Sequence, residues 1–238
     1  MDNAGYVTLT RMSGLRREMQ VIANNIANST TAGYRREGMV FSEFVVRAER
    51  LEPSLSMALG NTRHTYLLQG ALSQTNGTFD MAIEGEGYFQ LETPQGPRLT
   101  RAGAFTPNAA GELVNMDGHR LLDAGGAAIF VPPDARSVEI SRDGTLSAQG
   151  QPLGQVGLVR PVDPVTMSRA AGTLFAVDGA VEPVEAPNML QGFVEESNVD
   201  PMLELTRMIE VQRAYEGGQR LLDSEDERIK SVIQTLGR

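Results

Sequence analysis

Cysteine and tryptophan are both absent from this 238-residue chain. Without thiols there is no disulfide framework, no thiolate metal centre and no cysteine nucleophile. Such a chain suits any compartment, including an oxidising one where a stray thiol is a hazard. Aromatic residues make up 5% of it, which argues against a carbohydrate-binding face, because sugar platforms depend on exposed rings. No run of about 20 apolar residues occurs, so membrane insertion of a helix is not expected. Lysine occurs once, at Lys230, which reads as base bias in the genome and not as function. The opening Met1-Asp2-Asn3-Ala4-Gly5 lacks the basic and apolar regions of a secretory signal. The expectation is a protein that stays in the cytoplasm or leaves by a route that removes no N-terminal signal.

The signatures of catalysis are also sparse. Gly85-Glu86-Gly87 lacks the rest of a dinucleotide fingerprint, and no Gly-Lys-Ser/Thr phosphate loop occurs. His64 and His119 are isolated. Glu84, Glu86 and Glu92 could be imagined as a glycosidase pair, but carboxylates at strand spacing occur in most β domains. Asn28-Ser29-Thr30 and Asn76-Gly77-Thr78 match the glycosylation sequon without a setting that would use it. The reading is no enzyme, no cofactor, no metal and no small-molecule substrate.

Acidic residues number 30 against 21 basic ones, for a net charge of -9. A basic phosphate-binding stripe is missing, so nucleic acid is not an expected partner. The charge is uneven: residues 1–50 hold seven Arg and five acids, whereas 195–238 hold six basic and ten acidic residues. Opposite bias at the two ends favours pairing between them, within or across subunits, as steering and register more than as stability.

Those two ends carry the strongest pattern. Met208, Tyr215, Leu222, Ile229 and Leu236 fall seven apart, with a second column at Leu205, Gln212, Gln219, Asp226 and Ile233. Met12, Leu15, Met19, Ile22 and Ile26 follow the same alternating steps of three and four. A narrow stripe of this kind is a coiled-coil seam, and its partners would be the other terminus or further copies of the chain. Asp200 caps and Pro201 opens the C-terminal helix. Ion pairs at helical spacing follow: Glu204–Arg207, Glu210–Arg213, Glu216–Arg220 and Asp226–Lys230. Gly217-Gly218 interrupts the pattern, marking either a break between two helices or close approach by a neighbouring subunit.

Between the ends the signature changes. From about Thr78 to Asn188, short alternating runs such as Tyr88-Phe89-Gln90-Leu91 and Ala128-Ile129-Phe130-Val131 are broken by Gly, Pro, Asn and Asp. Three Asp-Gly pairs, at 117–118, 143–144 and 178–179, suggest hairpins. The fold class expected is α+β: terminal α-helices pairing as a coiled coil around a central, mostly antiparallel β domain. The segments are 1–34 helical, 35–77 an irregular connector interrupted by Pro53 and Gly60, 78–190 the β domain, and 191–238 helical.

The most specific string is Ala23-Asn24-Asn25-Ile26-Ala27-Asn28-Ser29-Thr30-Thr31-Ala32-Gly33-Tyr34-Arg35. Three asparagines at a helix end are unfavourable by propensity. Asn24 and Asn28 share a face, from which their amides can bond backbone groups of a packed neighbour, with Asn25 beside them.

This string resembles the N-terminal signature of the rod and hook proteins, the axial family of the bacterial flagellum. Asp80-Met81-Ala82-Ile83-Glu84-Gly85-Glu86-Gly87-Tyr88-Phe89, Thr100-Arg101-Ala102-Gly103-Ala104-Phe105 and Gly118-His119-Arg120-Leu121-Leu122 follow in the family's order. Glu196-Ser197-Asn198-Val199-Asp200-Pro201 then leads into Met208-Ile209-Glu210-Val211-Gln212-Arg213-Ala214-Tyr215-Glu216. Tyr34 and Tyr88 stand where many relatives carry Phe. The two ends resemble the proximal-rod members, with a distal-rod subunit as the alternative and a cell-wall carbohydrate-binding module as the alternative of another class. The resemblance implies a structural subunit with no catalytic role. It implies export unfolded through the flagellar type III apparatus and polymerisation into the rod, which crosses the periplasm and carries torque. Its partners would be other rod subunits and copies of itself. The terminal helices would line the export channel, with Gln212, Gln219 and Asp226 setting register or facing that channel.

Overall fold

The computed structural model describes residues 2–46, 55–135 and 137–236, with side chains placed for 5–41, 63–135 and 137–236. The fold is α+β. Among the described residues two long helices flank eighteen strands, and the chain divides into two compact units.

The first unit gathers residues 1–29, 36–67 and 199–238. Helix α1 spans Asp2–Ala27 and helix α2 spans Pro201–Leu236. At about 1.5 Å per residue they are roughly 39 and 54 Å long. The start of α2 is chemically fixed: the Asp200 carboxylate accepts from the Met202 and Leu203 amides at 2.9 and 3.1 Å, and Pro201 occupies a position whose amide has no helical partner. Gly217-Gly218 does not break α2, which runs through both as one helix.

Where an irregular connector is expected over 35–77, the first unit has a ribbon. Strand β1, Glu37–Val46, pairs antiparallel with β2, Leu55–Thr65. Val40 and Phe41 are residue types that suit a pleated strand, and Gly60 sits inside β2 opposite Phe41, where the register shifts. A glycine at a bulge is a local kink and not the end of a strand. Pro53 lies outside the described residues.

The second unit combines residues 30–35 with 68–198. Strand β3, Leu72–Gln74, pairs with Phe193–Glu195, and β4, Met81–Ile83, pairs with Met189–Gln191. The β region therefore extends beyond the 78–190 span expected from the turn signals. Its largest sheet has β5, Tyr88–Thr93, and β6, Gly96–Thr100, near the centre. Beyond β6 lie Leu174–Val177 and Met167–Ala171, while Arg120–Leu121, Leu113–Val114 and Thr106–Pro107 follow from β5. Leu158–Pro161 pairs with both β5 and Val181–Pro183. A separate three-stranded sheet holds Val138–Ile140, Thr145–Ala148 and Gln151–Gln155. The core beneath contains Met81, Ile83, Phe89, Leu91, Leu121 and Leu146, all essentially without exposure.

Two of the three Asp-Gly pairs form hairpins. Gly118 and Gly144 adopt φ of 82° and 86°, and they join strands that pair with each other. The third does not: Leu174–Val177 and Val181–Pro183 flank Asp178-Gly179 but pair with other strands. Gly179 is not among the glycines of positive φ, so the geometry of a tight two-residue turn is missing.

Candidate assembly interface

The two terminal helices of the first unit run antiparallel. Glu18 of α1 receives both the Nε and Nη2 of Arg207, at 3.1 and 3.0 Å. Further along, Met12 faces Gly218, and Tyr6 and Leu9 share a groove with Leu222 and Ile229. Along this pair Leu15, Ile22 and Val211 are buried together, with Met19, Ile26, Met208, Ala214 and Tyr215 packed around them. The α1 stripe thus meets α2, as does the column containing Met208, Tyr215, Leu222 and Ile229.

The other column behaves differently. Leu205, Gln212, Gln219, Asp226 and Ile233 are exposed, and so are Ile229 and Leu236 at the end of the first column. The positions that complete the contact with α1 lie one residue earlier in each heptad: Glu204, Val211 and Gly218. Sequence reading misses them because the set contains one apolar side chain, one acid and one glycine. A β-carbon added to Gly218 would lie 2.9 Å from Met12 Cγ, whereas one added to Gly217 meets nothing within 4 Å. The double glycine therefore does allow a close approach, by α1 of the same chain. Gly217 opens into a groove of about 350 Å³ lined by Val7, Met12, Leu15, Ala214 and Leu221.

At the end of this helix pair sits a buried polar knot. Asn25, with no exposure, donates through Nδ2 to the Glu37 carbonyl at 2.7 Å and to Glu204 Oε2 at 3.0 Å. Its Oδ1 accepts from the Glu37 amide at 3.0 Å. Arg36 Nε closes the other side of Glu204 at 2.5 Å, and the same guanidinium lies 4.7 Å from the Tyr66 ring centre. One amide thus ties α1 to both the ribbon and α2. Asn24, by contrast, is exposed, and Asn28 bonds back to the Asn24 carbonyl at 2.9 Å. Asn25 reaches both the ribbon and α2 because the buried face of α1 passes through Ile22 and Asn25.

Glu204 and Arg207 do not serve each other as an intrahelical pair, since each turns to a partner outside α2. Asp226–Lys230 does form, at 2.5 Å. The imagined glycosidase carboxylates are occupied separately, Glu84 by Asn188, Glu86 by Arg160 and Glu92 by Arg120. Among the described residues no group of three or more His, Cys, Asp or Glu could hold a metal ion. No described helix is long and apolar enough to cross a membrane.

Fold and site define an α+β protein whose two termini come together as one helix pair, knotted at one end by buried polar groups. Residues 6–35 match the family described as flagella basal body rod protein, 82–148 the flagellar hook protein FlgE/F/G D1 domain, and 190–235 the flagellar basal body rod FlgEFG protein C-terminal region. The chain is 36% identical over 249 residues to the flagellar basal-body rod protein FlgF of Caulobacter vibrioides, covering 100% of this chain and 99% of that one. It is also 36% identical to FlgF of Mesorhizobium japonicum with the same coverage. Against the rod protein FlgG of Bacillus subtilis, identity is 29% over 96% of this chain and 97% of that one. The chain belongs to the flagellar basal-body rod protein family.

Proposed function

We propose that this chain is a structural subunit of the flagellar rod. It acts without catalysis, is exported by the flagellar type III apparatus without a cleaved signal, and polymerises with copies of itself and other rod subunits across the periplasm. The observation that carries this reading is the stripe that α1 leaves uncovered. Leu205, Ile209, Ile233 and Leu236 are exposed along α2, together with Gln212 and Gln219. An amphipathic helix that also exposes apolar residues near both of its ends has surface for a second partner. The next subunit would supply that partner, and a heterologous contact of this kind whose rotation does not close generates an open helical array.

In this reading Met12, Leu15, Met19, Ile22, Ile26, Met208, Tyr215, Leu222 and Ile229 hold the helix pair, with coiled-coil packing continuing between subunits. Asn24, exposed on α1, and Asn28, half-buried just past its end, are placed toward the neighbour. The higher identity to FlgF proteins than to FlgG of Bacillus subtilis favours the proximal rod. Electron microscopy of basal bodies from cells lacking this chain provides the test. Rods absent or cut short near their base support a proximal subunit, and loss confined to the far part of the rod places it distally. Intact rods would overturn the structural role and bring a cell-wall binding module forward.

A further inference from the structure

Residues 30–35 belong to the second unit, although the chain on both sides of them, 1–29 and 36–67, belongs to the first. They lie on the second unit as a strap. Gly33, with φ of 70°, is so close to the backbone at Ala102 that an added β-carbon would sit 2.2 Å from its nitrogen. The Gly33 amide donates to the Glu195 carbonyl at 2.7 Å, and the Tyr34 carbonyl accepts from the Asn198 amide at 3.3 Å. Tyr34 is buried, with the Arg169 guanidinium 4.4 Å from its ring centre. Arg35 Nη1 meets Glu195 Oε1 at 2.7 Å and also donates to the Leu68 carbonyl.

The seated strap carries an electrostatic penalty. Glu195 is buried and already holds a second cation, Arg101 Nη1 at 3.3 Å, besides the Gly70 amide at 3.0 Å. With Arg35 in place two buried guanidinium groups face one buried carboxylate, and with Arg35 withdrawn the charges balance. A buried cation in excess opposes closure. The Nε and Nη2 of Arg35 are also buried without an acceptor in the protein, and water serves both once the side chain leaves. Burial of Tyr34 and the main-chain bonds therefore hold the strap against a side chain that favours its release. What the strap covers is short as well. The strand Phe193–Glu195 pairs with β3 over three residues, and two short strands alone are marginal in water.

We infer that residues 30–35 are a releasable strap, and that lifting it opens the end of the second unit where Phe193–Glu195 pairs with β3. Force applied from the N-terminal end of the chain reaches the strap before any strand of this unit. The unit then yields first at a short latch and not along its largest sheet. The use of this order of events in export rests on the rod reading above, whereas the opening itself does not.

Native-state amide exchange of the full chain in graded urea provides the test. The Gly33 amide and the amides bonded between Leu72–Gln74 and Phe193–Glu195 should exchange together. Their opening should be at least about tenfold more populated than the one that exposes β5 and β6. Gly33→Ala cannot seat the strap without strain, so it should raise that opening by about tenfold or more and leave exchange in β5 and β6 as before. Should that variant not fold, the order of exchange in the unaltered chain decides. Exchange of all these amides only with global unfolding overturns the inference, because the strap is then inseparable from the core. So does exchange of the Gly33 amide alone, which is fraying without opening, and so does an unchanged opening in folded Gly33→Ala. Intact rods in cells lacking the chain would remove the rod reading and leave these measurements as they stand.

Discussion

Asn25 and Glu204 meet at 3.0 Å across 179 residues of sequence, and both are buried almost completely. A carboxylate in that position requires donors from every side, and Asn25 and Arg36 provide them. The same Asn25 amide also occupies both backbone groups of Glu37, as a paired strand residue would.

Replacing Asn25 by Ala therefore leaves Glu204 short of one donor and the Glu37 amide and carbonyl without their partners. Each buried unsatisfied group costs about 1–3 kcal/mol, so Asn25→Ala should destabilise the first unit by roughly 3 kcal/mol or more. Asn25→Asp should be worse, because it sets a second carboxylate against Glu204. Asn24→Ala, on the exposed side, should stay within about 0.5 kcal/mol. Urea unfolding of the monomer followed by helical circular dichroism ranks the three, and equal effects at positions 24 and 25 would contradict the geometry.

The contrast between these neighbours shows what the sequence makes legible. Helix ends announce themselves through local chemistry, as Asp200 and Pro201 do, and Gly118 and Gly144 mark their hairpins within four residues. The column of α2 that meets α1 depends on distant atoms. A spacing of seven fits every column equally well, and hydrophobicity favours Leu205 and Ile233 over Glu204 and Gly218. Glu204 is buried with Arg36 and Asn25 around it, and Gly218 is half-buried with Met12 lying across it. Neither relation leaves a periodic trace. The ribbon is hidden for a similar reason: β1 and β2 are defined by each other, while Gly60 taken alone looks like a break.

The two adjacent glycines give a second discriminating pair. Helix propensity alone favours Ala over Gly by about 1 kcal/mol. Gly217 faces open space, so Gly217→Ala should stabilise the monomer by about that amount. At Gly218 the new methyl presses on Met12 Cγ, so Gly218→Ala should gain little. Gly218→Leu should lose about 1–3 kcal/mol through overpacking. Melting curves of the single variants read this directly, and a stabilising Gly218→Leu would mean that the two helices do not approach closely there.

Tyr88 gives the second unit a dependence on pH on the alkaline side. Burial raises its hydroxyl above the ordinary value near 10, with Arg101 and Arg35 pulling the other way. The unfolded chain thus loses this proton at lower pH than the folded one. The stabilisation is complete below about pH 10 and falls as pH climbs from there through the folded value. Tyr88→Phe should flatten the decline above pH 10 in a stability profile. On the acid side Asp143 has the opposite sign, because hydrogen bonds from the Thr145 amide and hydroxyl hold its carboxyl below the usual range. Its contribution is present above the ordinary aspartate value and is lost as pH drops through the lowered one. Asp143→Asn should remove that part of the acid slope, and an unchanged profile in either variant would refute the corresponding assignment.

The last turns of α2 expose an apolar face. The groove near the start of α1 is lined by Gly5, Tyr6, Leu9, Leu222, Asp226 and Ile229, and past it Val232, Ile233 and Leu236 are apolar and exposed. A single helical end of two turns is marginal in water, so its sequence pattern makes sense when another subunit orders it. In the monomer, amide exchange should be slow around Asn25, Glu204 and Val211, faster near Tyr6 and Ile229, and unprotected from Val232 onward. Ending the chain after Ile229, or changing Ile233 to Glu, should leave monomer stability within about 0.5 kcal/mol while abolishing rod assembly and swimming. Leu205→Glu should act in the same way from the other end of the exposed column. Full protection of this helix end in a verified monomer would mean that it is already paired within the chain. Normal motility of the truncated chain would mean that the end plays no part in assembly.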